Sequence, residues 1–511
     1  MRKRLAALLV CMVWVAMAHA QMYIVTEAQL TASDGKHTPL WLHANKYGLS
    51  SLETTNGYMR AAVVRPQEAD SSRQWKRAFG VDMAVATGFT STFVIQQLYA
   101  ELGWKKGLLS IGAKEQPMEQ KNQELSSGSQ TFGINARPVP GVRLELKDYW
   151  TVPGTKNLLA LRGHLFYGCS TDDSWQKDFT RRETRYTEHT MLHTKAGYLR
   201  IGKPEKPFSA ELGLEMACQF GGKSYNTGND KFPTVENEGG LKGMWHALIP
   251  NGSDPDETDY KNSEGNHLGS LMLRVGLDYP TWGIAAYADH FFEDHSQIFF
   301  FCNNGYGDDD EWNQKIHKKY FVYDLRDALV GVELQLKNVP WLNAVVAEYL
   351  YTKYQSGPIY HDHSRIMPDQ IAGLDNYYNH HLFTGWQHWG QVMGNPLYRS
   401  PLYNDNHDIS VSNNRFWAWH LGISGDPMPR LHYRLLATWQ KGFGTYKDPF
   451  INPSDNVSML AEASYCFAEK TPLKGWRVKC GVGVDRGSLL GDNVGVEFTV
   501  GKRFNINNKR R

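Results

Sequence analysis

Residues 208–220 have the sequence FSAELGLEMACQF, in which apolar residues alternate with polar or small ones. Successive side chains of a β-strand point to opposite faces, so this period predicts a strand with one apolar and one polar surface. The stretch is long enough to cross a membrane at a tilt. The apolar face would carry Phe208, Ala210, Leu212, Leu214, Met216, Cys218 and Phe220.

The same period returns along the rest of the chain, for example in residues 271–278, 332–337, 431–440, 478–485 and 494–501. We count about eighteen to twenty such segments between Tyr58 and Phe504, separated by turn-rich breaks. Aromatic residues gather near the segment ends, as in the interface belts of membrane proteins. They are Trp104, Tyr149, Trp150, Tyr279, Trp282, Trp341, Trp417, Trp419 and Trp476.

These segments predict an all-β protein, a transmembrane antiparallel β-barrel of about 18 strands with long extracellular or lumen-plugging loops. No segment after the N-terminal region has eighteen consecutive apolar residues, which excludes a helical membrane protein. A closed barrel is favoured because every backbone N–H and C=O must be paired inside a bilayer. The alternative is a secreted β-sandwich, propeller or β-helix. Polar faces rich in Gly, Glu and Gln, with no repeat of fixed period, favour the barrel.

The chain divides into four predicted parts. Residues 1–20 have a basic start, an apolar run and a small-x-small ending, which predict a secretory signal cleaved near Ala20. The alternatives are an uncleaved membrane anchor and a lipoprotein acylated at Cys11. Residues 21–57 are predicted to be a periplasmic or plug segment, residues 58–504 the outer-membrane barrel, and residues 505–511 a polar tail.

Composition excludes several classes of function. The 55 basic residues nearly balance the 53 acidic ones, so strong attraction to nucleic acid is not expected. The chain contains 22 Phe, 16 Trp and 26 Tyr, and this aromatic content argues against extended disorder. The cysteines are widely spaced and form no C-x-x-C pair, which indicates neither a zinc knuckle nor a disulfide scaffold.

The stretch SSGSQTFGINARPVPGV at residues 126–142 resembles the Asn-Ala-Arg-Pro-x-Pro segment of the Wzi-type capsule assembly proteins, particularly the Bacteroidetes members. The motif residues are Asn135, Ala136, Arg137, Pro138 and Pro140. Two further stretches are similar to the same family. They are TPLWLHANKYG at residues 38–48 and the segment from Asp375 to Leu397, which includes DNYY, GW and GNPL.

The resemblance implies an outer-membrane barrel of eighteen strands that holds capsular polysaccharide on the cell surface. It also implies a periplasmic helical element. Residues 21–57 contain Thr38, Pro39, Gly48 and Gly57 but no sustained apolar period of 3.6 residues, so a helical bundle is not expected here.

Arg137 lies in a segment stiffened by two prolines, which belongs at a barrel rim or inside the lumen. Its guanidinium could form a forked pair with a uronic acid or sulfate of a polysaccharide. It could instead pair with an internal carboxylate and brace the wall, which is the interpretation that we favour.

Residues 360–408 form a long irregular region rich in aromatic, amide and acidic side chains. Flat rings stack on sugars while amides and carboxylates bind hydroxyl groups, so this composition fits a glycan site. The equally weighted alternative is a self-packed loop that plugs the barrel. The predicted polysaccharide-binding residues are Asp375, Asn376, Tyr377, Tyr378, Trp386 and Trp389, together with Arg137.

No cofactor or metal is predicted. The histidines at positions 361, 363, 380, 381, 388 and 407 lack partners at zinc-ligand spacing, and the acidic runs at 254–259 and 308–311 lack the pattern of an EF-hand loop. We find no G-x-S-x-G, H-E-x-x-H or P-loop motif, so an enzyme is not predicted.

The predicted function is therefore to bind and anchor capsular or surface polysaccharide, with outer-membrane lipids as the other partner and a monomeric state. Two alternatives remain. One is an outer-membrane porin or specific channel for saccharides, and the other is an outer-membrane hydrolase.

Overall fold

The computed structural model describes residues 22–70, 73–249, 265–293, 304–306, 315–317, 326–355 and 374–506. The predicted signal segment at 1–20 lies outside the described residues. So do the two acidic runs and the first part of the long aromatic region, including His361 and His363.

Eighteen antiparallel strands form one closed sheet, which confirms the predicted all-β barrel. Each strand pairs with its neighbours along the chain, and the first strand pairs with the last. The strands are β1 (Met22–Asp34), β2 (Thr55–Arg65), β3 (Trp75–Thr87), β4 (Phe93–Trp104), β5 (Gly107–Ala113), β6 (Gly141–Thr151), β7 (Leu159–Cys169), β8 (Met191–Ile201), β9 (Phe208–Phe220), β10 (Asn266–Asp278), β11 (Trp282–Glu293), β12 (Ala328–Leu336), β13 (Ala344–Tyr351), β14 (Phe416–Met428), β15 (Leu431–Gly444), β16 (Pro449–Cys466), β17 (Trp476–Gly487) and β18 (Asn493–Ile506).

The remaining elements are short. The helices are α1 (Leu40–His43), α2 (Asp173–Phe179) and α3 (Gly240–Leu248), with 3-10 turns at Gln67–Asp70 and Pro401–Tyr403. A small sheet joins Tyr186–Glu188, Lys223–Tyr225 and Thr234–Glu236, and two-residue strands Gln387–His388 and Gln391–Val392 form a hairpin. A further pair joins Asn304–Tyr306 and Lys315–His317. Among the described residues, no helix is long and apolar enough to cross a membrane.

The alternating sequence determines which side chains face outward. In β9, Leu212 is exposed on the outer surface, whereas Glu215 and Gln219 are buried in the lumen. Exposed aromatic rings form a belt at one end of the barrel, where Trp75 and Trp104 lie 6.0 Å apart. A second group at the opposite end includes Trp419 and Trp439. This arrangement matches a lipid-facing band flanked by two interfaces.

Tyr149 departs from the predicted belt because its ring faces the lumen. The guanidinium groups of Arg162 and Arg200 lie 4.8 Å and 4.4 Å from the centre of that ring. Its neighbour Trp150 is the exposed member of the pair. The period of two requires that adjacent residues of a strand point to opposite sides.

The two ends of the barrel differ in the length of their connections. The first and last described residues, Met22 and Ile506, lie at one end, where the connections are as short as Lys105–Lys106 and Pro429–Arg430. The long connections all lie at the other end. Outer-membrane barrels have short periplasmic turns and long extracellular loops, so the end with the short connections is the periplasmic end.

Two predicted boundaries are wrong. Residues 22–34 do not belong to a periplasmic or plug segment, because β1 pairs with both β2 and β18 and closes the barrel. Its outward positions include Thr26, Ala28 and Ala32, so the apolar alternation is weak in the sequence. The predicted tail also begins too early, since Asn505 and Ile506 are the last residues of β18.

Three connections fold back into the lumen, and together we call them the plug. They comprise residues 38–54, 114–140 and 374–415, and many of their side chains are buried. Helix α1 packs against β16, β17 and β18. Residues 38–54 of the predicted 21–57 segment therefore lie in the plug, whereas residues 22–34 form β1 of the barrel wall.

A charge on the lipid face should prevent assembly. Leu214 is in the middle of β9 and lines a groove of the outer wall with Leu144 and Leu165. We expect Leu214→Arg to cost about 2 to 4 kcal/mol and to abolish the heat-modifiable folded band in membranes. Ser209→Arg places the same charge on the lumen face of the same strand, near its periplasmic end, and should assemble normally. Normal assembly of Leu214→Arg would show that this face does not contact lipid.

Candidate functional site

The three sequence stretches that resemble the Wzi-type family meet in the plug. The backbone N–H of Asn45 donates to Asn135 Oδ1 (3.1 Å), and the N–H of Tyr47 donates to the Ile134 carbonyl (2.6 Å). Asn135 Nδ2 in turn donates to the Val392 carbonyl (3.0 Å). A single asparagine of the motif thus joins the other two stretches, although they are widely separated in the sequence.

Two glycines allow the backbones to approach this closely. Gly48 has a φ of +68°, and a Cβ built there would lie 2.4 Å from the backbone nitrogen of Arg137. A Cβ at Gly394 would lie 1.9 Å from the hydroxyl of Tyr378. Only glycine fits at both positions, because any side chain would overlap atoms of the packed plug.

The aromatic part of the plug is a packed core. Tyr378 stacks on Tyr398 at 4.0 Å between ring centres, and Phe291 of β11 contacts Tyr377 edge-on at 4.8 Å. The indole of Trp386 donates to the Thr131 carbonyl (2.9 Å). Buried tyrosine and tryptophan rings need a partner for their polar atoms. The hydroxyl of Tyr378 donates to the Gln130 carbonyl, and that of Tyr377 donates to Asp327 (3.0 Å).

Carboxylates on the barrel wall hold the segment 121–131 in place. Glu348 of β13 accepts the N–H of Ser127 (2.8 Å) and the hydroxyl of Ser126 (2.6 Å). Asp289 of β11 accepts the N–H of Gln130 (3.0 Å) and pairs with Lys121 (2.5 Å). These carboxylates are almost completely buried, so the plug provides the donors that water would otherwise supply.

The structure separates the predicted binding residues into two groups. Tyr377, Tyr378 and Trp386 have at most 2% of their surface exposed, so no ring face is open for a sugar to stack on. These three residues fit the alternative of a self-packed plug. Asn376 is half-buried and accepts hydrogen bonds from Asn379 and Asn414, and Asp375 is half-buried near the start of the same segment.

Trp389 and Arg137 form the second group, at one corner of the plug. Trp389 (φ 56°) and Gly390 (φ 79°) are the two loop residues of the hairpin formed by Gln387–His388 and Gln391–Val392. Positive φ at both loop positions is the geometry of a type I′ turn. It places a half-buried tryptophan at the hairpin tip, where its indole donates to the Thr171 hydroxyl (3.2 Å).

The guanidinium of Arg137 lies over the ring of Trp389, 4.5 Å from its centre. Its other partners are neutral. Nη2 donates to the Thr90 hydroxyl (2.9 Å) and Nε to the Gly48 carbonyl (3.5 Å). Its own carbonyl contacts Nδ1 of His388 (2.9 Å). Among the described residues, no carboxylate forms an ion pair with Arg137, so the internal brace that we favoured is not observed.

Burial lowers the pKa of Arg137 to about 10, and the charge of Asp172 opposes this shift. The group therefore remains a cation at neutral pH. Asp172 itself accepts hydrogen bonds from the N–H of Trp389 (3.0 Å) and from Gln176 (3.0 Å). It holds the hairpin tip through these bonds and forms no ion pair with Arg137.

A cavity of about 150 Å³ lies beside the motif, between the plug and the wall formed by β5 to β8. Arg137, Pro138 and Val139 line one side. Two other cations reach it, but Lys114 pairs with Glu101 and Arg143 with Glu145. Arg137 is thus the cavity cation without an acidic partner among the described residues. Further lining side chains are Tyr47, Phe132, His164 and Phe166.

Sequence patterns did not identify Thr90, Thr171, Asp172 or Lys114 as part of this site. They come from three separate connections, after β3, β5 and β7, and nothing in the local sequence distinguishes these residues. Within the described ranges, no group of three metal-ligating side chains is found, and this includes His380, His381, His388 and His407.

Comparison with solved structures matches the chain to Wzi of Escherichia coli, an outer-membrane protein described as involved in group 1 capsule assembly and as a carbohydrate-binding β-barrel. The TM-score is 0.58 at 12% identity, covering 96% of this chain and 86% of that chain. OccK5 (OpdH) of Pseudomonas aeruginosa matches with a TM-score of 0.47 at 8% identity, covering 96% and 98%. OpdQ of the same organism also scores 0.47 at 8% identity, covering 95% and 99%.

No protein-family model and no curated protein sequence matches the chain. The likeness to Wzi shows the fold, a closed barrel of the outer-membrane type.

Replacing the two tryptophans should have opposite consequences. We expect Trp386→Ala to destabilise the plug by about 3 to 5 kcal/mol, because it leaves a cavity and an unpaired carbonyl at Thr131. External protease should then cut within 114–140 or 374–415 while the barrel stays folded. Trp389→Ala removes a half-buried side chain at the hairpin tip and should leave the plug resistant. Equal sensitivity of both variants would contradict this division.

The plug should weaken in acid. Burial lowers the pKa of His43 to about 3, and its Nε2 contacts the Tyr403 hydroxyl (2.8 Å). A released plug takes up a proton near pH 6.5, whereas the packed plug does not. Stability should therefore be constant above about pH 6.5 and fall below it by roughly 1.4 kcal/mol per pH unit for each such histidine.

Urea titrations between pH 7.5 and 4.5, followed by tryptophan fluorescence, measure this dependence. His43→Gln removes one titrating group and should give a shallower decline. A midpoint that rises as the pH falls would show that the buried histidines are not neutral in the plug.

Proposed function

We propose that this chain is a Wzi-type outer-membrane barrel that binds and anchors capsular or surface polysaccharide without catalysis. The observation that carries the proposal is the corner formed by Arg137 and Trp389. There, a buried cation without an acidic partner lies on a half-buried tryptophan and lines a cavity.

The chemistry of this corner fits an acidic sugar. A guanidinium has five N–H donors arranged as a fork, and the described contacts of Arg137 use only part of them. The remaining donors suit the carboxylate of a uronic acid or a sulfate. A buried charge without a counterion is costly to the fold, which is a common property of binding sites.

The size of the cavity favours a site that holds the polysaccharide over a channel through which the polysaccharide is threaded. Pockets for drug-sized ligands measure roughly 300 to 1,000 Å³. The cavity beside Arg137 measures about 150 Å³, enough for a single sugar unit or an acidic substituent. A polymer would therefore be held through one unit at a time at this site.

Family membership is part of the proposal. The stretches at 38–48, 126–142 and 375–397 contact one another, so the segments that carry the resemblance form one structural unit. The barrel that matches the chain with a TM-score of 0.58 is itself described as carbohydrate-binding and as involved in capsule assembly.

The anchoring role can be tested by deleting the gene in the native host and restoring it with variants. Arg137→Gln and Trp389→Ala should move surface polysaccharide from the cell pellet to the medium at unchanged total output. Arg137→Lys should restore part of the retention, because it keeps the charge but loses the fork. Arg182→Gln changes an exposed arginine of a nearby loop and is the matched control.

Planar-bilayer conductance tests the channel alternative at the same time. Since the three plug segments lie inside the lumen, we expect the purified barrel to be nearly silent. Normal polysaccharide retention in the Arg137→Gln strain, together with steady conductance of the wild-type barrel, would overturn the proposal and favour the channel.

A further inference from the structure

Helix α3 lies on the outside of the barrel, against the extracellular ends of β8 and β9. Its small residues Gly243 and Ala247 face the wall and are buried. Beneath the helix are Cys218 and Phe220, two outward-pointing residues of β9 that are only 1% and 2% exposed. The helix therefore covers part of the surface that lipid covers elsewhere on the barrel.

The face of α3 that points away from the wall is apolar. Leu241 is 86% exposed and Trp245 59% exposed, and residues four apart lie on the same side of a helix. Ile249, directly after the helix, is exposed as well. A helix on a water-covered surface presents its polar face outward. The outward face of α3 has the opposite character, which indicates apolar surroundings.

The helix descends from the extracellular rim along the wall. Gly239, just before its start, lies close to Gly221 at the end of β9. Its last carbonyls reach Lys195, which is four residues from the rim end of β8. Four strand residues correspond to roughly 13 Å along the strand. The C-terminal end of α3 therefore lies alongside the outward band that includes Leu144 and Leu165.

Lys195 stabilises the C-terminal end of α3 on the apolar outer wall. Its side chain is on the outward face of β8, where an unpaired lysine would be unfavourable. The ammonium donates to the carbonyls of Ala247 (3.4 Å) and Leu248. The last carbonyls of a helix lack partners within it, and lipid cannot supply donors. The lysine and the helix end therefore satisfy each other, and the negative end of the helix dipole favours the cation.

The polar side chains of α3 pair with a nearby carboxylate on a separate flank of the helix. Lys242 and His246 both contact the carboxylate of Glu238, at 2.6 Å and 3.1 Å. Tyr167 of β7 donates its hydroxyl to the Met244 carbonyl (2.8 Å), so a third strand also holds the helix. A polar flank, an apolar outer face and a tryptophan are the features of helices that lie at a membrane interface.

We propose that α3 is immersed in the outer leaflet of the membrane, with lipid acyl chains in contact with Leu241, Trp245 and Ile249. The occupant is lipid because the apolar face is continuous with the exposed aliphatic band of β6, β7 and β9. The proposal does not depend on what the extracellular end binds.

Photocrosslinking in native outer membranes tests it. Leu241→p-benzoylphenylalanine and Trp245→p-benzoylphenylalanine are compared with the same substitution at Leu144, a lipid-facing position, and at Glu236, an exposed rim residue. Cells are grown with a clickable fatty acid, and lipid adducts are counted on the folded, heat-modifiable barrel. Both helix positions should give adducts comparable to those of Leu144 and about tenfold above those of Glu236.

Two outcomes would overturn the proposal. One is a Leu241 yield no higher than that of Glu236 while Leu144 reacts, which would place the helix outside the lipid. The other is a crosslink of Leu241 to a second copy of the chain, which would make this face a subunit interface. Each variant replaces an outward side chain and leaves the wall contacts intact, so folding is checked directly by heat modification.

Discussion

Buried carboxylates on the inner wall of the barrel are the constraint on which the plug depends. An irregular segment inside a lumen has backbone N–H groups that neither water nor a neighbouring strand can satisfy. Glu348 and Asp289 accept them directly, and each is fixed on a strand whose register is set by its neighbours. Without these acceptors the segment 121–131 would be released, and the aromatic core that packs on it would lose one side.

The alternation of side chains links this constraint to the membrane. Each strand has one face toward the outside and one toward the lumen, so a residue such as Glu215 or Glu348 can be buried among polar groups while its neighbours lie on the apolar outer face. The same rule makes Lys195 an exception, because it places a cation on the lipid side. The C-terminal carbonyls of α3 accept hydrogen bonds from this lysine. The outer surface of the barrel therefore carries a helix in addition to the strands.

Most of the fold could be predicted from the sequence, because a period of two is a local property. Residues 208–220 show it clearly and form β9 as expected. Strand β1 was missed because Thr26, Ala28 and Ala32 are too small or polar to mark an apolar face. Helix α3 was missed since it is one short element within a long connection.

The site was harder to predict, because its contacts join residues far apart in the chain. The motif at 135–140 was identified as important, yet its sequence does not reveal whether an acid lies near Arg137. The nearest acidic influence, Asp172, comes from the connection after β7. The aromatic residues at 377, 378 and 386 had the composition of a glycan site, but the same rings serve equally well as a packed core. Only their burial distinguishes the two roles.

The plug also has a mechanical consequence. Its three segments leave the wall between β1 and β2, between β5 and β6, and between β13 and β14, which are separate points on the ring of strands. They then bind one another through Asn135. A force applied at Arg137 is therefore transmitted to several separate parts of the wall at once. Under the proposed function, the tension of a bound polymer would be shared by these connections and would not fall on one hairpin.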